Sequence, residues 1–248
     1  MLSILFMRLV ACARPATSAT AHFAQAEYWD RRYANDRGAV REWYNVTWDE
    51  LRQLFVRSCP RGQLDILVTG CGTSPLGMEL ARETFVRRLV STDVSPVLIQ
   101  QMREKHPQLE WAVADVRDLR VFANESFDAI VDKGSLDALR GDGNMMNVEQ
   151  MFMAYRRVLR PGGVAMIVTS CDIYVCEPQL LRYFESVTAE KLPKKNIKAL
   201  KAKAAALFGA GFAVREYDIA YFCTREADHY QARGPRYTRG FWRNRAPG

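Results

Sequence analysis

The sequence has no two cysteines separated by two residues, only three histidines, and no apolar run approaching the ~18 residues of a membrane-spanning helix. Its six cysteines, Cys12, Cys59, Cys71, Cys171, Cys176 and Cys223, are scattered. That scatter argues against a structural zinc site and against a disulfide framework, so no metal is expected and the thiols are expected to be reduced. Reduced thiols suit the cytosol, the nucleus or the mitochondrial matrix. Acidic residues are missing from the first 26 positions, which instead carry Arg8 and Arg14 among Ala, Ser and Thr. This is the profile of a mitochondrial presequence, with a disordered start or a secretory signal as the other readings. The arginines follow the apolar LSILFM rather than precede it, which opposes the secretory reading. A mitochondrial location is expected, with a cytoplasmic one as the alternative, and no membrane insertion.

What is present is an ordinary globular composition with an uneven charge. The net charge of +7 hides 13 Lys or Arg against 4 Asp or Glu between 191 and 248, while the remainder carries 22 against 24. Five Val/Ile-rich runs, at 65–69, 88–92, 109–114, 127–132 and 163–170, alternate with helical patterns. Continuous apolar runs suit parallel strands covered on both faces. Ser95 and Pro96 read as the N-cap and first position of a helix, PVLIQQMREKH. Asn147 with Gln150 resembles a capping box for a helix whose apolar face is Val148, Met151, Phe152, Tyr155 and Leu159, ended by RPGG at 160–163. A Lys-rich helix is expected over 194–212 and one or two strands over 212–225, the last strand remaining unplaced. Alternation of this kind predicts an α/β fold, a doubly wound, mostly parallel sheet. The expected divisions are a targeting or disordered segment at 1–22, an aromatic cap at 23–60, the main domain at 61–225 and a basic tail at 226–248.

The first strand runs into TGCGTSPLG, residues 69–77. Gly70 and Gly72 can adopt positive φ and leave bare backbone for a ligand, and amides at a helix start favour polar or negative groups. Cys71 between them reads as a small residue filling a tight turn rather than as a nucleophile. Asp93 follows the second strand, 21 residues after Gly72, where a carboxylate accepts both hydroxyls of a ribose; Asp115 follows the third, within reach of an adenine edge. Either acid alone is more simply an N-cap, but three such features at three successive strand ends point to a nucleoside. A dinucleotide fingerprint needs a third glycine where this chain has Pro75, the next glycine being Gly77. S-adenosylmethionine has no pyrophosphate to cradle and needs only the first turn.

These segments, ILVTGCGTSPL, TDVSPVLI, ADVRDL, FDAIVDKGSLDAL and RVLRPGG, resemble the seven-stranded class I S-adenosylmethionine-dependent methyltransferases. The nearer resemblance is to the group that methylates lysines of translation elongation factor 1-alpha, which has DKGSLDAL after the fourth strand and a segment like AEYWDRRY…REWYNVTWDEL before the domain. CGTS, VSPV and DKG also resemble mitochondrial citrate synthase lysine methyltransferase. The resemblance spans about residues 27–170. It implies a seven-stranded Rossmann-like sheet, S-adenosyl-L-methionine as cofactor and a protein lysine as acceptor. The implied cofactor residues are Tyr28, Trp29, Tyr33, Trp43, Gly70, Cys71, Gly72, Asp93, Val94, Asp115, Val116 and Asp132. One departure is Val68, where many class I enzymes have an acid. The Asn/Asp-Pro-Pro-aromatic segment of enzymes acting on base amino groups or glutamine is replaced by Asp-Lys-Gly-Ser, which argues against planar amide-like nitrogens as acceptors.

A lysine acceptor must lose its proton, which costs on the order of 4–5 kcal/mol at pH 7. Asp132 and Asp137 are the candidate catalytic acids; either orients the amine or receives its proton, and Lys133 pairing with one of them is the structural alternative. The aromatic segment Tyr28, Trp29, Tyr33, Trp43 and Tyr44 either folds over the cofactor and walls the acceptor channel or packs on the flank of the sheet. The basic C-terminal region reads as a solvated face, as a dock for an acidic protein, or, where Tyr237, Phe241 and Trp242 interleave with arginines, as an RNA contact. The expected partner is a protein substrate, elongation factor 1-alpha-like or a mitochondrial enzyme, with RNA open and the chain monomeric. Methylation of a small molecule or RNA, or a non-catalytic binding protein on the same fold, are the competing functions.

Overall fold

A computed structural model describes residues 23–36, 39, 40, 42, 44, 46–141, 143–194 and 217–226. The presequence-like start, Trp43, nearly all of the Lys-rich segment and the basic tail lie outside the described residues. Seven strands form one sheet in the order β3-β2-β1-β4-β5-β7-β6. They are β1 (Leu64–Thr69), β2 (Val86–Asp93), β3 (Glu110–Val113), β4 (Phe127–Lys133), β5 (Leu159–Thr169), β6 (Ser186–Pro193) and β7 (Tyr217–Thr224). The pairs among β1 to β5 are parallel, and β7 runs antiparallel between β5 and β6. The helices are α1 (Ala26–Asp36), α2 (Trp48–Ser58), α3 (Leu76–Leu80), α4 (Pro96–Lys105), α5 (Ser135–Arg140), α6 (Met145–Val158) and α7 (Ile173–Leu180).

The sheet separates two apolar cores. Alternate residues of one strand enter opposite layers: Ile66 and Val68 pack with α2, α3 and α4, while Leu67 packs with α5, α6 and α7. Burial on both faces is why the central strands read as unbroken Val/Ile runs. The Ser95 side chain caps α4 by accepting from the Leu98 amide, with Pro96 in the first turn as expected. Met151, Phe152, Tyr155 and Val148 are fully buried on the inner face of α6.

Several expectations are corrected. The cap of α6 is Asn144, whose side chain accepts from the Met146 amide, and Asn147 lies inside the helix. RPGG does not simply end that helix; it runs within β5, where Gly162 takes φ +82°. Cys171 and Cys176 form a disulfide, with Cα atoms 6.2 Å apart, because the turn after β5 folds the start of α7 back onto it. Among the described residues Cys59, Cys71 and Cys223 are free thiols. The 212–225 pattern resolves, in its described part, into the single strand β7. The strand without a sequence signal is β6, an edge strand whose exposed Glu190, Lys191 and Pro193 dilute the apolar pattern. Among the described residues no helix is long and apolar enough to cross a membrane, and no group of three or more His, Cys, Asp or Glu is placed to hold a metal.

Candidate active site

At the carboxyl ends of β1, β2 and β4 lies a cavity of about 250 Å³, walled by α1, the turn after β1 and α5. This is where an open α/β sheet presents ligands, because the order reverses between β1 and β4 and the loops diverge there. Of the residues expected at a cofactor site, Trp29, Tyr33, Gly70, Asp93, Val94, Asp115 and Val116 line it, together with Asp137. Tyr28, Cys71, Gly72 and Asp132 do not, and Trp43 lies outside the described residues.

Gly70 and Gly72 both take φ +52°, the left-handed region that a side chain strains. What a side chain would meet is the chain itself. A Cβ on Gly70 would stand 2.2 Å from Ser135 Oγ, and one on Gly72 would stand 3.3 Å from the Tyr33 hydroxyl. Gly77 supplies the close helix–strand packing that a dinucleotide site draws from its third glycine: a Cβ there would stand 2.9 Å from Ser91 Oγ. Cys71 fills the turn and is buried, which pushes its thiol well above its ordinary pKa. Val68 is buried in the core under α3 and not on the cavity wall, so the missing acid leaves no gap there.

Asp93 ends β2 with one oxygen accepting from the Gly72 amide at 3.1 Å and the other from the Ser95 amide at 3.0 Å. These bonds favour the carboxylate, but burial outweighs them and raises its pKa to about 6. Asp115 beyond β3 is gripped by the Arg117 guanidinium, with Nη2 to Oδ2 at 2.5 Å and Nε to Oδ1 at 2.9 Å. The third strand therefore offers an ion pair rather than a bare acid. Val94, Val116 and Leu139 supply apolar wall, and Trp29 stacks on Tyr33 with ring centroids 5.8 Å apart. Carboxylates at two strand tips, an apolar slot and a bare glycine backbone fit a nucleoside.

The two candidate catalytic acids part company. Asp132, fully buried at the end of β4, accepts from the Tyr155 hydroxyl at 2.6 Å and the Ser135 amide at 3.0 Å. Thr69 completes that network by donating to the Tyr155 oxygen at 2.6 Å. Burial raises Asp132 to about pKa 6. It holds the floor of the site and is not among the residues that line this cavity. Asp137, on α5, lines the cavity and is held by Thr169 Oγ1 at 2.5 Å and Ser170 Oγ at 2.6 Å. Tyr44 also hydrogen-bonds Asp137; its phenol pKa is raised well above 10, by burial first and Asp137 next. Tyr44 takes φ +69°, an unusual conformation for an aromatic residue and a strain of the sort found at functional sites.

Lys133 pairs with neither aspartate. Its buried ammonium bonds Glu42 and reaches the Val46 carbonyl at 3.4 Å. Glu42 also accepts from Ser74 Oγ at 2.5 Å. This pair ties the segment before α2 to β4 and to the turn after β1. Glu42 was not foreseen, although a lone acid just before two aromatics, REWY, was the signal available. Of the aromatic cap, Trp29, Tyr33 and Tyr44 line the cavity and at the same time pack against the core layer of α2, α3 and α4.

Comparisons with known proteins agree with this geometry. A family model described as a methyltransferase domain matches residues 66–163. The EEF1A lysine methyltransferase 4 of Mus musculus is 36% identical over 162 residues, 60% of this chain and 62% of that protein. The eEF1A lysine and N-terminal methyltransferase of Xenopus laevis is 31% identical over 169 residues, 65% of this chain and 24% of that protein. The chain thus spans less than two thirds of each of these relatives' lengths. In fold, it resembles the TehB-like SAM-dependent methyltransferase of Corynebacterium glutamicum, with a TM-score of 0.52 at 20% identity, covering 82% of this chain and 99% of that one. Residues 66–163 thus match a methyltransferase domain, carried on a seven-stranded sheet of the fold shared with that solved structure.

Proposed function

We propose that this chain is an S-adenosylmethionine-dependent protein-lysine N-methyltransferase. The observation that carries the reading is the order of groups along one cavity: Asp115 and Asp93 at the tips of β3 and β2, Gly70 at β1, then Tyr44 and Asp137 beyond β4. Asp93 would hold the ribose hydroxyls, the Asp115–Arg117 pair would meet the adenine edge, and the backbone of the turn at Gly70 would face the amino-acid end. When bound, the cofactor supplies an electrophilic methyl on a sulfonium, so the protein's work is alignment of the acceptor at about 3 Å.

Tyr44 and Asp137 do that work. The Tyr44 phenol stays protonated at any physiological pH, so it acts as a hydrogen-bonding group and not as a base. It donates to Asp137, which turns its oxygen lone pair toward an incoming amine. The aromatic ring beside it accepts the cationic character that grows on nitrogen during transfer. Asp137, locked by Thr169 and Ser170, fixes the phenol.

The names of the relatives support a lysine of an elongation factor 1-alpha-like protein as acceptor. The acid-free, arginine-bearing start supports the mitochondrial matrix as the place. The test is incubation of the purified chain with radiolabelled S-adenosylmethionine and fractionated extract, with and without RNase. Label in a protein band, resistant to RNase and lost with Asp93→Ala, is expected. Label confined to RNA or to small molecules overturns the acceptor, and cofactor binding without turnover overturns the enzyme.

A further inference from the structure

A lysine of the chain itself already rests on a buried carboxylate at the carboxyl edge of the sheet. Lys194, the residue after β6, places Nζ 3.0 Å from Asp218 Oδ1; the Asp218 side chain is 1% exposed and that of Lys194 19%. Asp218 is the second residue of β7. Its chain neighbour Ile219 pairs with Thr169 of β5 on one side and with Lys191 of β6 on the other. Thr169 and Ser170 are the residues that grip Asp137 on the cavity wall. The Tyr44 phenol lies in the fields of both Asp137 and Asp218. The strand register therefore sets Asp218 and the Lys194 amine on the same carboxyl edge of β5, β7 and β6 that holds Asp137.

Side-chain alternation puts Asp218 and Lys133 on one face. Ala220 and Phe222 of β7 share the core layer of Val131 and Val168. Asp218, two residues before Ala220, and Lys133, two after Val131, extend that layer to the carboxyl edge of the sheet. There the segment carrying Glu42, Tyr44 and Val46 crosses it, held by Lys133. The Lys194 amine is neutralised by an acid yet still partly open to solvent.

We propose that Lys194 is a methyl acceptor in cis, a modification site at which the chain methylates itself, with Asp218 the carboxylate that receives the amine. This rests on the methyl-transfer reading above. The Lys194 nitrogen first gives a proton to solvent, and its lone pair then forms the N–C bond as the S–C bond of the sulfonium breaks. The electron pair of that bond stays on sulfur, leaving S-adenosylhomocysteine as a neutral thioether and a methylammonium that remains paired with Asp218. Because the acceptor is tethered, encounter has no concentration dependence and alignment is favoured as in any intramolecular reaction.

The experiment uses the purified full-length chain, S-adenosylmethionine with a deuterated methyl, peptide mass spectrometry, and calorimetry with the same cofactor. Label is expected on Lys194, with a rate per molecule that does not change over a roughly tenfold dilution of the protein. Lys194→Arg is expected to lose that label while keeping its cofactor affinity. Asp218→Asn is expected to slow labelling of Lys194 by about tenfold or more, as loss of a charge-assisted contact does. A methyl already on Lys194 at purification counts as the same result when Asp93→Ala lacks it. A chain that binds the cofactor and labels an extract protein while Lys194 stays bare overturns the inference and leaves the proposed function standing. So does label that falls on other lysines, or whose rate rises with protein concentration. Absence of cofactor binding overturns both.

Discussion

At the scale of single residues, the bare backbone at Gly70 answers to the protein before it answers to a ligand. Ser135, at the start of α5, occupies the space that a Cβ would need, at 2.2 Å. Its amide also caps Asp132 at 3.0 Å, so it cannot retreat without uncapping that acid. Gly70→Ala is therefore expected to destabilise the chain by about 1–3 kcal/mol from backbone strain alone, with a further steric part. In urea unfolding, adding Ser135→Gly should recover the steric part and leave the strain. Equal stability of Gly70→Ala and the parent would refute the contact. The sequence located this turn from two glycines and a preceding strand. It did not reveal that Ser135 and Tyr33 are what the glycines accommodate, because neither is a neighbour along the chain. The same limit separates Asp132 from Asp137. Five residues apart in one motif, they differ in that one is sealed under Tyr155 and the other faces the cavity.

At the scale of elements, the N-terminal segment is joined to the sheet by few but buried polar ties. Glu42 bridges Lys133 at the end of β4 and Ser74 in the turn after β1. Asp30 of α1 accepts from Ser95 at the start of α4. These ties hold Trp29, Tyr33 and Tyr44 over the cavity. Lys133→Met removes the cation and leaves Glu42 partly buried without it, a loss of about 3 kcal/mol where such a pair is sequestered. The strain falls on the cap and not on the core strands. The expected result is cofactor affinity weakened by about tenfold, with the main unfolding transition moved much less. Calorimetry beside urea unfolding separates the two effects, and unchanged affinity would show that the tie does not position the cap. The aromatic run marked this segment in the sequence, whereas its polar anchors were spread over 91 residues of chain separation.

At the scale of the whole molecule, two carboxylates buried at the tips of β2 and β4 set a pH dependence. Burial raises both Asp93 and Asp132 to about pKa 6. The folded chain then binds protons more tightly than the unfolded chain between the ordinary carboxylate range and about pH 6. Their contribution to stability is fully present below that window and is lost as pH rises through it. Each shift of this size is worth roughly 3 kcal/mol. Relative to the parent, Asp93→Asn should become progressively more favourable in urea unfolding from pH 4.5 to pH 7 in the absence of cofactor. Parallel curves for the two proteins would show that Asp93 titrates normally. The site thus keeps ionised acids in a dry place at a cost to the stability of the unliganded chain.

What the sequence alone determined was whatever is local or periodic. The Val/Ile runs, the Ser95–Pro96 helix start, the left-handed glycines and the order of acids at strand ends follow from side-chain volume, φ preference and spacing, which neighbours along the chain dictate. The tertiary structure decided the rest. The edge strand β6 forms because β7 offers it a ladder. Cys171 and Cys176 meet because the turn after β5 doubles back. Lys133 finds Glu42, Asp137 finds Thr169 and Ser170, and Lys194 finds Asp218 because the sheet brings its carboxyl edge together. Polar partners far apart in sequence leave no periodic trace, since each is selected by a single contact in space and not by a pattern along the chain.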